Sequence, residues 1–254
     1  MQALDRLESE KAFHDQQAQQ RAAEFRHRSD SLHFDDDFYL NHETWIRPAV
    51  AACGDVRGKH ALDHGCGHGM AAIVLARRGA DVVALELSRA YLDECRRRAL
   101  ANDVAITLVL ADAERLPFAD ASFDLLWGNA IVHHLDIQTA AREIYRVLRP
   151  GGCAVLCEPW GQNRLLRWAR QHLPYPGKGR TPDEQPLRAA DVEILRSVFP
   201  KLEQRGFQLL SMTRRVFGPG VISAALDRCD AFLLKRFPSL ERYCRYVVLT
   251  VRRD

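Results

Sequence analysis

One stretch, residues 59–69, constrains the fold of this chain more than any other. It has the sequence Lys-His-Ala-Leu-Asp-His-Gly-Cys-Gly-His-Gly, so three glycines occupy alternate positions after a short apolar run and an acid. Residues 70–76 then have the composition of a helix. Glycine adopts positive φ and lets a ligand approach the backbone closely. The stretch therefore predicts a strand, a tight turn and a helix N-terminus around a nucleotide-type cofactor.

The glycine spacing argues against a dinucleotide site. A dinucleotide fingerprint requires G-x-G-x-x-G, but Met70 stands at the third glycine position after Gly65 and Gly67. The carboxylate of Asp63, directly before the turn, would repel a pyrophosphate but not an ammonium group on the ligand. A nicotinamide-dependent reductase is therefore the less favoured interpretation of this loop.

Further acids follow at the ends of predicted strands. Residues 81–86 predict a second strand that ends in Glu86, and an acid there can accept hydrogen bonds from both hydroxyls of a ribose. Residues 104–110 predict a third strand, and Asp112 follows it. Predicted strands and helices alternate onward to residue 152. This order predicts a parallel, doubly wound sheet with ligand sites beyond the carboxyl ends of its strands.

Three runs of the chain resemble motifs of one enzyme family. They are the loop at 62–69, Ala-Asp-Ala-Glu-Arg-Leu-Pro-Phe at 111–118 and Tyr-Arg-Val-Leu-Arg-Pro-Gly-Gly at 145–152. Together they resemble the class I S-adenosylmethionine-dependent methyltransferases, in the subgroup with small-molecule substrates. The resemblance implies an α/β fold with a doubly wound, mainly parallel, seven-stranded Rossmann-like sheet. It also implies S-adenosylmethionine as cofactor and S-adenosylhomocysteine as product.

The resemblance also implies roles for single residues. Asp112 would accept a hydrogen bond from the adenine N6 amine, the amide of Ala113 would contact a ring nitrogen, and Asn129 would lie near the methionine end. Asp63 would act on the methionine amino group through backbone or water. The residues expected at the cofactor are Asp63, His64, Gly65, Cys66, Gly67, Glu86, Leu87, Asp112, Ala113, Glu114, Asn129, Tyr39 and Trp45.

The flanks of these motifs are expected to carry the specificity of the protein. Residues 1–45 predict an N-terminal helical cap or lid, and residues 46–254 would form the methyltransferase domain. Within that domain, 159–186 and 218–242 are expected to be lid or substrate insertions.

Several element boundaries in the flanks can be predicted. Thr44 is expected to cap a helix that begins at Trp45. A sixth strand is expected over 206–213, a helix over 221–236, and a final antiparallel strand over 243–251.

The acceptor is expected to be a small molecule, with oxygen as the methylated atom and carbon or nitrogen close behind. Asn129 is followed by Ala-Ile rather than by the Pro-Pro-Tyr that holds an exocyclic amine in DNA amino-methyltransferases. Candidate bases are His133, His42 and Glu43. Candidate substrate contacts are His134, Glu158, Trp160, Trp168, Tyr175 and Arg180.

Two alternatives stay open within this interpretation. The apolar and basic helix predicted over 221–236 leaves room for a lipid or isoprenoid acceptor and for a membrane-facing surface. A protein that binds S-adenosylmethionine without catalysis would keep the same pocket and need no base.

Composition limits the partners and the compartment. The 254-residue chain has 36 basic and 33 acidic residues, a net charge of +3, which is too balanced to indicate a nucleic-acid partner. Its seven cysteines do not form a disulfide-like pattern, and Cys153 and Cys157 are expected to be core residues rather than metal ligands. With no apolar signal segment at the first residues, we expect a cytoplasmic protein, monomeric or homodimeric, without metal or stable membrane insertion.

Overall fold

The structure is a computed structural model that describes residues 8, 11–17, 19, 32–172, 185–213 and 220–254. Seven strands form one sheet in the order β3-β2-β1-β4-β5-β7-β6, in which β7 runs in the direction opposite to the other six. The strands are β1 His60–His64, β2 Asp81–Glu86, β3 Thr107–Leu110, β4 Phe123–Asn129, β5 Leu148–Pro159, β6 Glu203–Phe207 and β7 Tyr246–Arg252. The expected doubly wound, mainly parallel seven-stranded sheet is confirmed.

Helices cover both faces of this sheet. They are α1 Asp36–Leu40, α2 Ile46–Ala52, α3 Met70–Arg77, α4 Arg89–Ala101, α5 Ile137–Val147, α6 Arg164–His172, α7 Ala189–Val198 and α8 Val221–Arg236, with a further helical segment at 11–17. The strand order reverses direction between β1 and β4, which leaves a crevice beyond their carboxyl ends where ligands bind in such sheets. Among the described residues, no helix is long and apolar enough to cross a membrane.

The core has two halves because both faces of the central strands are buried. Along β1, Ala61 packs with the cluster under α3, whereas Leu62 packs with the cluster under α5. Cys153 and Cys157 both lie in the first cluster as small buried side chains. In the part of the chain that the structure describes, no group of three or more His, Cys, Asp or Glu side chains could hold a metal ion.

The segment just before residue 46 is part of this core. Phe34, Tyr39, Leu40 and Trp45 are buried in the same cluster as α3. The expected cap by Thr44 is wrong: α2 begins after Trp45, no side chain caps it, and the Thr44 hydroxyl is buried without a hydrogen-bond partner.

The sixth strand begins and ends earlier than the sequence predicts. It covers Glu203–Phe207, and at Gln208 the backbone turns into a left-handed conformation with φ of 60°. The amides of residues 209–211 then donate to the carboxylate of Asp230 on α8 rather than to a neighbouring strand. A buried acid from a distant helix therefore ends the strand.

Candidate active site

A cavity of about 230 Å³ lies beyond the carboxyl ends of β1, β2 and β4. Its walls come from the glycine loop, the ends of β2 and β4, and the turn after β3. The expected cofactor residues that line it are Gly65, Gly67, Glu86, Leu87, Asp112, Ala113 and Asn129. These seven residues lie at or just after the carboxyl ends of four strands, β1 to β4, and the parallel sheet brings them together at one edge.

The floor of the cavity is glycine backbone. Gly67 has φ of +51°, and a Cβ built there would meet nothing within 4 Å, so the space above it is open for a ligand. Gly69 has φ of +82°, and a Cβ there would lie 2.2 Å from the Cys95 sulfur on α4. The missing side chain of Gly67 leaves room for a ligand, and that of Gly69 permits close packing of the loop on α4.

Glu86 is fixed at the cavity rim by backbone amides. Its Oε2 accepts from the amide of Gly67 at 2.9 Å, and its Oε1 accepts from the amides of Leu87 at 2.8 Å and Ser88 at 2.9 Å. A carboxylate offers about four acceptor positions, so this one keeps capacity for a ligand hydroxyl.

Asp112 is oriented in a similar way. Its Oδ1 accepts from the amide of Glu114 at 2.8 Å. The next residue, Ala113, is held from behind because its carbonyl lies 3.0 Å from Nε2 of the buried His64. Burial lowers the pKa of His64, so the ring is neutral and its Nε2–H donates to that carbonyl.

Asp63 lies behind the cavity wall rather than in it. It is buried on the same side of β1 as Ala61, and its Oδ2 accepts from the amide of Ala72 at 2.9 Å. Since Gly69 at the N-cap of α3 has no side chain, this carboxyl takes the place of a capping side chain. Burial raises the pKa of Asp63 to about 7.

Five other expected cofactor contacts are also absent from the cavity wall. His64 and Cys66 are buried beneath it, and Glu114 accepts from the amide of Asp136 at 2.6 Å. Tyr39 and Trp45 lie in the core, where the Trp45 ring stacks on Tyr246 at 3.7 Å between centroids. None of these five side chains lines the cavity. His64 and Cys66 lie at or just after the end of β1, whose residues are buried on both faces, and the other three make their contacts elsewhere.

The helical segment at 11–17 closes the outer side of the cavity. His14 and Gln17 line it, and neither position was predicted. Gln17 Oε1 accepts from the Tyr91 hydroxyl at 2.6 Å, and Asp15 accepts from the Ser88 hydroxyl. The thin apolar stripe of the N-terminal helix indicates packing, but no sequence signal identifies which side chains face the ligand.

His133 and Glu158 form a buried pair beside the cavity. His133 Nδ1 lies 2.6 Å from Glu158 Oε2, and both side chains are almost fully buried. Glu158 Oε1 accepts from the amides of Ile131 at 3.2 Å and Val132 at 2.9 Å. His133 follows β4 and Glu158 is near the end of β5, so neighbouring parallel strands bring them together. The pair is next to the cavity wall formed by Ile131, His134 and Leu135.

The rival bases lie in a different environment. His42 is exposed in the turn before α2, and Glu43 accepts from Gln208 Nε2 at 2.7 Å. Residues Thr44 and Gln208 line a second cavity of about 630 Å³, between α2, β6 and α8. The structure therefore pairs His133 with a carboxylate and leaves His42 and Glu43 out of the first cavity's wall.

The expected substrate contacts do not form one wall. His134 lines the first cavity. Trp160 is buried, and its amide donates to the Arg245 carbonyl at 2.9 Å. Trp168 is exposed and stacks on His172. Tyr175 and Arg180 lie outside the described residues.

Comparison with known proteins identifies the central segment. Residues 62–156 match the family model described as a methyltransferase domain. A malonyl-[acyl-carrier protein] O-methyltransferase of Enterobacter lignolyticus is 43% identical over 97 residues, covering 38% of this chain and 37% of that protein. A demethylmenaquinone methyltransferase of Clavibacter sepedonicus is 38% identical over 119 residues, which cover 46% of this chain and 48% of that protein. A fatty-acid O-methyltransferase of Mycolicibacterium smegmatis is 37% identical over 125 residues, which cover 48% of this chain and 45% of that protein. The chain thus spans less than half the length of each of these relatives.

Solved structures share the fold over most of the chain. An S-adenosylmethionine-dependent methyltransferase from Thermotoga maritima matches with a TM-score of 0.59 and 16% identity, over 86% of this chain and 93% of that one. Geranyl diphosphate C-methyltransferase from Streptomyces coelicolor, in complex with S-adenosylhomocysteine, also matches with a TM-score of 0.59, at 18% identity, over 82% and 76%. At these identities the likeness concerns the fold.

Proposed function

We propose that this chain, whose residues 62–156 form a class I S-adenosylmethionine-dependent methyltransferase domain, transfers a methyl group to an oxygen of a small-molecule acceptor. The observation that carries the choice of oxygen is the buried pair of His133 and Glu158, 2.6 Å apart, beside the cofactor cavity. A hydroxyl acceptor loses a proton as its oxygen is methylated, and such a pair can take that proton.

The lining of the cavity offers groups that suit the cofactor, S-adenosylmethionine. When bound, it supplies an activated methyl group on a sulfonium. Gly67 offers open space for close backbone approach, Glu86 keeps acceptor capacity for a ribose hydroxyl, and Asp112 is oriented to accept from the adenine amine. Asn129, at the end of β4, lies in the cavity wall on the side of His133. We assign it to the methionine end.

His133 acts as the base in this proposal, and Glu158 positions it. With Nδ1–H donating to the carboxylate of Glu158, Nε2 is the nitrogen that takes the acceptor's proton. The amides of Ile131 and Val132 hold Glu158 in place, so the imidazole has one fixed orientation. The carboxylate also stabilises the imidazolium that forms.

The first experiment tests the cofactor. Calorimetric titration with S-adenosylmethionine and S-adenosylhomocysteine should show binding to wild type, weakened more than about tenfold by Glu86→Ala and by Asp112→Ala. Each lost charged hydrogen bond costs on the order of 1.5–3 kcal/mol. Asp120→Ala, at an exposed carboxylate outside the cavity, is the control and should bind normally. Absence of wild-type binding would contradict the cofactor assignment for the isolated chain.

The second experiment tests the acceptor atom and the base. Transfer of radiolabelled methyl groups is measured to a panel of phenols, enols, amines and carboxylic acids. His133→Gln should lower the turnover of a hydroxyl acceptor by about 10²- to 10⁴-fold without changing cofactor affinity, because only proton transfer is lost. His42→Gln is the matched control. Methylation of amines alone would contradict the oxygen proposal, and full activity of His133→Gln on a hydroxyl acceptor would contradict its role as the base.

A lipid or isoprenoid acceptor is a second candidate. Two of the similar proteins are named for a demethylmenaquinone and a fatty acid. Helix α8 also exposes large apolar side chains. Including detergent-dispersed isoprenoid phenols and fatty acids in the same panel separates this candidate from water-soluble acceptors.

The non-catalytic alternative makes a different prediction. A protein that only binds S-adenosylmethionine would show normal calorimetry and no transfer to any acceptor in the panel. Loss of transfer in His133→Gln with intact cofactor binding would exclude it.

A further inference from the structure

The two most deeply buried side chains of α8, Ser223 and Asp230, are polar. Asp230 accepts from the amides of residues 209–211 and from the Ser211 hydroxyl at 2.7 Å. The half-buried Leu234 packs against the core as well. The inner face of α8 is therefore held both by hydrogen bonds to the turn after β6 and by apolar packing.

The outer face of α8 carries large apolar side chains. Val221 is 88% exposed, Ile222 is 64% exposed and Phe232 is 68% exposed. At 3.6 residues per turn these three positions fall within an arc of about 100° on the helix. The exposure of three such side chains on one stripe indicates a surface that is covered by something else.

The charged side chains of α8 are partly separated between its two faces. Arg228 and Arg236 are exposed and do not line the second cavity, whereas Lys235 lines it together with the acids Asp227 and Asp230. Asp230 is buried, and Oδ1 of Asp227 is buried without a hydrogen-bond partner. Since the whole chain has a net charge of only +3, the two outward arginines are a local feature of α8 and not an overall basic character.

Further large apolar and aromatic side chains are exposed just after α8 and on α6. Phe237 and Tyr243 are exposed just after α8, with the guanidinium groups of Arg236 and Arg242 over their rings. The side-chain amide of Asn163 donates to the Tyr243 carbonyl at 2.8 Å, which ties the start of α6 to this region. On α6, Leu165 and Trp168 are exposed as well.

We propose that the outer face of α8, with the adjoining aromatic side chains, docks on an anionic lipid surface. Apolar side chains flanked by Lys and Arg, with aromatic residues beside them, are the pattern of helices that lie in a membrane interface. A second copy of the chain fits this face less well, because a two-fold contact would bring Arg228 and Arg236 of both copies together. The docking does not depend on the cofactor.

The test is co-sedimentation of the full chain, without cofactor, with vesicles of phosphatidylcholine alone or mixed with phosphatidylglycerol. Wild type should bind only the mixed vesicles and should be released by salt, since salt screens the attraction. The variant R228Q/R236Q should lower the partition coefficient about 30-fold, because each cation near an anionic surface contributes about 1 kcal/mol. The variant I222Q/F232Q should lower it at least about tenfold through lost apolar insertion.

The matched control is R96Q/R97Q on α4, which removes the same charge from another exposed surface. It should keep the partition coefficient within about twofold of wild type. Urea unfolding checks that each variant is folded. No binding to mixed vesicles, or equal loss in the α4 control, would overturn the proposal. So would a wild-type dimer that I222Q/F232Q abolishes without any vesicle binding, because the face would then be a contact between copies.

Discussion

Replacing Asp63 by Asn should remove the contribution to this protein's stability that falls as pH rises from 4 to 7. Burial raises the pKa of Asp63 from 3.8 to about 7, because a charged carboxylate is poorly solvated inside the sheet. Glu86 adds repulsion in the same direction. An Asn side chain can still accept the hydrogen bond from the amide of Ala72, so the capping contact to α3 can be kept while the ionisation is removed.

The direction in which stability changes with pH follows from the number of protons that the native and the unfolded chain bind. Between pH 4 and pH 7 the carboxyl of the unfolded chain is ionised, while the native carboxyl still holds its proton. Unfolding therefore releases a proton, and rising pH favours the unfolded state. The rise in the pKa of Asp63 from 3.8 to about 7 corresponds to about 4 kcal/mol of unfolding free energy, at 1.36 kcal/mol per pKa unit. This contribution is lost by pH 7.

The assay is urea unfolding of wild type and Asp63→Asn across this pH range, without cofactor because a ligand would stabilise the native state. The free energy of unfolding of wild type relative to Asp63→Asn should fall by about 4 kcal/mol as pH rises from 4 to 7. Burial lowers the pKa of His64 and so favours the native state as pH rises, but this contribution is the same in both proteins and cancels in the difference. Asp55→Asn, at an exposed carboxylate bound by Arg57, should keep the wild-type profile. If the difference between wild type and Asp63→Asn does not change with pH, the reasoning is refuted.

Three further substitutions test other contacts. Gly69→Ala places a Cβ 2.2 Å from the Cys95 sulfur at a positive φ, so urea unfolding should show a loss of about 2–4 kcal/mol, and a wild-type midpoint would contradict the close packing. Glu158→Gln removes the charge that orients His133, so kcat should fall at least about 10²-fold while cofactor affinity in calorimetry stays constant; an unchanged kcat would remove Glu158 from its positioning role. Asp230→Asn leaves one fewer acceptor oxygen for the turn after β6 and should cost about 2–3 kcal/mol in urea unfolding, with a loss below about 0.5 kcal/mol as the contrary result.

Much of the cavity lining can be predicted from the sequence because that lining is built locally. Gly67, Glu86 and Asp112 each lie at or just after the end of a strand, and the carboxyl ends of parallel strands meet at one edge. His64 and Asp63 lie behind the cavity wall for one physical reason. Alternate residues of a strand point to opposite faces, and in β1 both faces are buried, so these polar side chains support the wall from behind.

Long-range contacts explain what the sequence could not predict. His14 and Gln17 reach the cavity from a segment far from the glycine loop. Hydrogen bonds to Ser88 and Tyr91, and contacts of the His14 ring with the rings of Tyr91 and His134, hold this segment there. The early end of β6 depends on Asp230, which lies more than twenty residues later. Neither contact has a local signature, because each joins two surfaces that chain order alone does not place together.

The pairing of His133 with Glu158 is neither purely local nor purely long-range, because it depends on the register of two neighbouring strands. In the register of β4 and β5, Asn129 stands opposite Cys157, so the residue after Cys157 faces the loop that leaves β4. An acid at that position meets residues 131–133 in any sheet with this register, and here it binds two of their amides and one imidazole. The cofactor cavity is lined from β2 and from the turn after β3 on one side and from the end of β4 on the other, where this pair lies. We therefore expect the acceptor to approach from the β4–β5 side, where a proton can pass to His133.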